Sequence, residues 1–170
     1  SAGILSINAD INLGPVPGSV TANSITLSGG SIQGTANITL STNRGITLTA
    51  NSGIAATSTN RLIYNGLITG AFGLTINGAG QTGSVALTNS SNYSGGTTLA
   101  TGSLGVYHNS SIGSGTLTLA DSTTLILGRA VNTISNNINL IGNATVDFDT
   151  DVEYLVVAGG GGGGSRHGGG

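Results

Sequence analysis

The sequence predicts an all-β fold, a right-handed parallel β-helix (β-solenoid) of about six or seven coils. Three observations carry that expectation. Alternating β-branched triplets recur along the chain, each closed by Gly, Asn or Ser. Helix formers are nearly missing, with no Lys, no Met and a single Glu, Glu153. The triplets are too short to fold as free hairpins, so they are stable only if many of them stack.

Taken in order, the first four triplets are Ile11-Asn12-Leu13, Ile25-Thr26-Leu27, Ile38-Thr39-Leu40 and Ile46-Thr47-Leu48. Leu74-Thr75-Ile76, Val85-Ala86-Leu87, Leu117-Thr118-Leu119, Leu125-Ile126-Leu127 and Ile138-Asn139-Leu140 continue the series. Side chains alternate faces along a strand, so the outer two residues of each triplet point inward and the middle one outward. Two or three triplets per turn give a coil of about twenty to thirty residues, within the solenoid range. Coils stacked about 4.8 Å apart would make a rod roughly 30 Å long. An antiparallel sandwich also shows regularly spaced strands, but the likeness of the I-T-L units favours the solenoid. Asn65-Gly66, Asn77-Gly78 and Ser94-Gly95-Gly96 are read as positive-φ corners. Pro15 and Pro17 fall just after a predicted strand, where a loop tolerates their missing amide donors.

Composition narrows the chemistry. Of 170 residues, 6% are charged and none is Cys or Trp; the four basic side chains are all Arg and the net charge is −2. This excludes a disulfide scaffold, a thiolate metal site and a basic nucleic-acid surface. With 37% apolar residues the chain can still bury a core, one that must be aliphatic because only two Phe and four Tyr are present. Gly supplies 31 residues, and Ser, Thr and Asn about sixty more. No apolar run is long enough to span a membrane as a helix, so no membrane insertion by this segment is expected. The sequence opens at Ser1 without an export signal and reads as a piece of a longer, exported protein. Residues 1–157 are assigned to the solenoid and 158–170 to a glycine-rich linker or a truncated next module.

Residues 74–141 carry a motif of a known kind. Asn92-Tyr93-Ser94-Gly95-Gly96-Thr97-Thr98-Leu99 is followed by Gly102-Ser103-Leu104 and Ile112-Gly113-Ser114-Gly115-Thr116-Leu117-Thr118-Leu119. This series resembles the passenger-associated repeats of bacterial autotransporters, and Ile134 to Val146 is similar to the strands that usually come next. Residues 1–60 more loosely resemble the strand repeats of filamentous-haemagglutinin-type adhesins. The tail, Tyr154-Leu155-Val156-Val157-Ala158 and then Gly159 to Gly164, is similar to glycine-rich segments of phage tail fibres and large surface proteins. The resemblance implies a right-handed β-helix on an extracellular or outer-membrane-surface protein, and a repeat without catalytic residues.

Each candidate site has a plainer reading beside it. Gly78-Ala79-Gly80-Gln81-Thr82-Gly83 matches the letters of a dinucleotide loop, but Ser84-Val85-Ala86-Leu87 alternates as a strand where a helix is needed. It is read as a turn. His108 and His167 have no acid nearby in sequence, and the poly-Gly run lacks the Lys of a phosphate loop. Asp147, Asp149, Asp151 and Glu153 alternate, so an extended strand would set all four on one face. Neighbours there are roughly 7 Å apart and splay, which favours a solvated acidic face over a calcium site. Tyr64, Tyr93, Tyr107 and Tyr154 lie far apart in sequence, leaving no obvious aromatic platform for a sugar. Threonine pairs at 47/49, 57/59 and 116/118 suggest an ice-ordering face, but their uneven spacing argues against alignment.

The expectation is therefore a non-catalytic stalk or adhesin segment of a secreted or surface-anchored bacterial protein. No catalytic, cofactor-binding or metal-binding residue is assigned, and no cofactor. Expected partners are a host-cell surface or glycan, neighbouring repeats of the same chain, and other copies through open coil edges. The alternatives are a tail-fibre-like host-binding segment and a fragment of a polysaccharide-active β-helix enzyme.

Overall fold

A strand of three to five residues gains stability only when both of its backbone edges are paired, and the architecture supplies both to most of them. The computed structural model describes residues 3–78 and 80–149. The first coil holds β1 (Ile4–Ile7), a 3-10 turn (Asp10–Leu13) and β2 (Thr21–Leu27). The second holds β3 (Ser31–Gly34), β4 (Ile38–Leu40) and β5 (Arg44–Leu48). The third holds β6 (Ser52–Ala56), β7 (Arg61–Tyr64) and β8 (Ile68–Gly70). Later coils carry two strands each: β9 (Leu74–Ile76) and β10 (Ser84–Leu87), β11 (Thr97–Leu99) and β12 (Ser103–Val106), β13 (Leu117–Leu119) and β14 (Thr123–Gly128), then β15 (Ile138–Leu140) and β16 (Ala144–Asp149).

All pairings are parallel and connect one coil to the next. Sheet 1 runs β1-β3-β6-β9-β11-β13-β15, sheet 2 runs β4-β7-β10-β12-β14-β16, and sheet 3 is β2-β5-β8. The result is a β-solenoid of about six turns. Strict register turns the inward residues into columns. Leu5, Ile32, Ile54, Ile76, Leu99, Leu119 and Leu140 follow one another down sheet 1. Ile38, Leu62, Val85, Leu104, Leu125 and Val146 do so down sheet 2. In mid-stack these side chains are almost fully buried, and they form one continuous aliphatic core.

The octapeptide at 92–99 marks where the cross-section changes. Sheet 3 ends at β8, and the Asn92 and Ser94 amides donate to the Ile68 and Gly70 carbonyls in its place. Tyr93 turns fully inward and donates its hydroxyl at 2.6 Å to Thr97, whose own hydroxyl donates at 2.9 Å to the Ile112 carbonyl. Gly96 has φ +87°, a region open to glycine. The octapeptide thus fills the lumen with one aromatic ring where a third strand is no longer present.

Two expectations are corrected. Ile11-Asn12-Leu13 is not a strand but lies within the 3-10 turn, because the Asn12 carboxamide accepts the Asn8 and Ala9 amides and Arg44 holds the Asp10, Leu13 and Gly14 carbonyls. Of the predicted corners, Asn77 (φ +50°) and Gly96 have positive φ, whereas Gly66 does not. Gly66 is needed for space: a Cβ there would lie 2.0 Å from the Arg44 carbonyl oxygen and 2.6 Å from the Tyr64 hydroxyl. The threonine pairs at 47/49, 57/59 and 116/118 lie on sheet 3, between β6 and β7, and on sheet 1, so they form no common rank, although single threonines do align as Thr75-Thr98-Thr118 and Thr26-Thr47-Thr69.

Candidate functional site

Most residues singled out in the sequence stay apart. Between β9 and β10 the described residues Gly78 and 80–83 form no helix, and a strand, not a helix, follows them. His108 is exposed and accepts the Ser110 amide at 3.1 Å. Asp147 and Asp149 lie on β16 as predicted, both exposed and on its outer face, in register with Ile126 and Gly128 of β14. Asp151, Glu153, Tyr154, His167 and the poly-Gly run lie outside the described residues. Among the described residues no three His, Cys, Asp or Glu side chains gather as a metal site, and no helix is long and apolar enough to cross a membrane.

What the fold does assemble lies on the outside of sheet 2. Arg61 opens β7, Tyr107 follows β12, and Asp147 and Asp149 sit on the last strand. Parallel stacking sets them beside one another along the rod although 46 residues separate Arg61 from Tyr107. Arg61 Nη2 donates to the Tyr107 hydroxyl at 2.9 Å, and its guanidinium carbon is 5.7 Å from the ring centroid, a cation–π distance. The ring lies over two strand glycines. A Cβ on Gly105 would come within 2.7 Å of Tyr107 Cε2, and one on Gly128 within 2.4 Å of Cδ1. Side chains there would lift the ring off the sheet, so the two glycines keep it flush.

Around the ring is an open groove of about 520 Å³, lined by Arg61, Ser84, Tyr107, Ile126, Asp147 and Asp149. Burial pushes the Tyr107 phenol above its ordinary value; the Arg61 charge opposes that and the neighbouring Asp149 carboxylate adds to it. The phenol therefore stays protonated near neutrality and can donate as well as accept. The groove combines an apolar floor, Tyr107 with Ile126, and a rim of one guanidinium, two carboxylates and a hydroxyl. Such a set can hold a polar molecule by stacking and hydrogen bonds. Its two carboxylates stand side by side on β16.

Of the tyrosines read as scattered in the sequence, Tyr107 lines this groove, while Tyr64 and Tyr93 are core residues. Arg61 and Tyr107 carry no local signature. The usable hint was glycine inside strand patterns, Gly105 in Ser103–Val106 and Gly128 at the end of Thr123–Gly128.

The other charged cluster is internal. Arg44 is almost fully buried at the N-terminal end of the lumen, its Nε 2.7 Å from Asp10 Oδ1. Its remaining donors reach the Asp10, Leu13 and Gly14 carbonyls, so it fastens the 3-10 turn over β4, the edge strand of sheet 2.

Fold and groove together define a parallel β-solenoid with a polar outer face and an aliphatic lumen. No protein-family model matches the chain, and neither a curated protein nor a solved structure shows significant similarity to it.

Proposed function

We propose that the chain is a non-catalytic stalk or adhesin segment of a secreted or surface-anchored bacterial protein. One observation carries this reading: the aliphatic columns run in unbroken register through about six turns, while columns of threonine face outward on sheets 1 and 3. Such a stack is a mechanical element. Its stability is a sum of coil-to-coil interfaces, so it can be lengthened coil by coil without redesign. The absence of Cys and the low charge suit a chain that folds after export, and the repeat-like motif at 92–119 supports a passenger-type setting. A glycan or host-cell surface is the partner this reading assigns.

The test is surface proteolysis of intact cells that produce the chain, read with an antibody to this segment. Loss of the signal without lysis is the expected result. A signal that disappears only after lysis would overturn the surface assignment. Release of reducing ends or of unsaturated uronates from a polysaccharide panel would overturn the non-catalytic one.

A further inference from the structure

We infer that the outer groove of sheet 2 is a binding site for a neutral pyranose unit, with Tyr107 as its stacking platform; this deepens the adhesin reading and names its ligand class. The argument starts from the ring. Gly105 and Gly128 both leave their outer positions empty, whereas their neighbours in register, Ala86, Ile126 and Asp149, carry side chains. That pair of gaps lets the Tyr107 ring lie close against the sheet while, half-buried, it still lines the open groove. Arg61 holds the hydroxyl end from one side, and Asp149 is its polar neighbour on the other. An aromatic ring fixed in this way loses little freedom on binding, which is what a rigid anchor provides.

The ligand class follows from the rest of the groove. A pyranose offers a face of C–H groups with slight positive charge, which suits the negative face of an aromatic ring. At its edge are paired hydroxyls that donate and accept. Asp147 and Asp149 accept, Arg61 donates and Ser84 does both, so the rim matches a diol better than it matches an apolar or singly charged group. Two carboxylates against one guanidinium leave the groove net negative, which disfavours uronates, sulfated sugars and nucleic-acid phosphates. The volume, about 520 Å³, falls within the usual range for small-molecule sites.

The experiment is saturation-transfer NMR on the intact chain with lactose, cellobiose and N,N′-diacetylchitobiose, and with a heparin tetrasaccharide as the anionic comparison. Transfer to the pyranose C–H protons of at least one neutral disaccharide, with a dissociation constant near 1 mM, is expected. Tyr107→Ala should weaken that binding at least about tenfold, and Tyr107→Phe should retain most of it. Asp149→Asn should weaken it less than Tyr107→Ala does. Circular dichroism melting of each variant separates loss of the site from loss of the fold, since Tyr107 lies outside the core cluster. Saturation of none of the neutral probes, preference for heparin, or unchanged binding in a folded Tyr107→Ala protein would each overturn the inference. These outcomes leave the stalk reading standing, whereas a sugar that binds and is then cleaved keeps the groove and removes the non-catalytic reading.

Discussion

Arg44 places a guanidinium at the mouth of an aliphatic lumen, and its environment dictates how each substitution there behaves. Removing one partner of a buried ion pair leaves an uncompensated charge, at a cost of about 3 kcal/mol. Asp10→Ala does this to Arg44, although three backbone carbonyls still accept from it, so the loss should sit at about that figure or below. Arg44→Met removes the ion pair and also the donors that hold three carbonyls of the 3-10 turn, so it should cost more than Asp10→Ala. Urea unfolding of the two variants checks the order. The buried phenols give a second prediction at this scale. Burial pushes Tyr64 and Tyr93 far above the ordinary tyrosine value. A folded-state pKa raised above the unfolded one contributes stability that is complete below the unfolded value, about pH 10, and is lost as pH rises past it. Stability should therefore be flat from neutrality to about pH 9. Above pH 10 it should fall by up to about 1.4 kcal/mol per pH unit for each phenol. Tyr93→Phe should remove one phenol's share of that slope, as measured by denaturant unfolding at several alkaline pH values.

Along a strand, position in the stack decides what a side chain is worth. Ile76 in β9 and Leu140 in β15 belong to the same inward column, but Ile76 is fully buried and Leu140 is 58% exposed at the end of the described stack. Ile76→Ala should cost about 2–5 kcal/mol through lost contacts and a residual cavity, and Leu140→Ala under about 1 kcal/mol. Comparing their denaturation midpoints tests whether columns, and not single strands, hold the rod together. The same logic explains what the sequence could disclose. Eight of the nine triplets are strands, because alternation is a local signal that the stack merely completes. Ile11-Asn12-Leu13 has the same letters and is not a strand, because Arg44, 31 residues downstream of Leu13, holds its carbonyls in a turn. The groove was hidden for a related reason. Arg61, Tyr107 and Asp149 meet only if every intervening coil closes in register, and no local pattern states the length of a coil.

Over the whole molecule, the two ends differ from the middle. At the C-terminal end of the described stack, β15 and β16 have no further partner strand, and Ile138, Leu140, Val146 and Phe148 are each more than half exposed. At the other end β1 is equally unpaired and Ile4 and Leu5 are more than half exposed, while the 3-10 turn packs against the edge strand of sheet 2. Unpaired edges above apolar columns are templates for another chain. Among the described residues sheet 1 is unpaired at both ends, and its column could continue from Leu140 of one copy to Leu5 of the next. Pairing of two β16 edges across a two-fold axis would bring Asp147 and Asp149 toward their own copies, which like charge opposes. Association should therefore be head-to-tail. A heterologous contact of that kind does not close on itself, so sedimentation velocity at rising concentration should show a broadening series of oligomers. Because each contact uses both ends, Leu5→Lys and Leu140→Lys should suppress the series equally. A closed dimer sensitive only to Leu140→Lys would show that the C-terminal ends pair with each other, and a profile that stays monomeric at high concentration would show that the edges are covered.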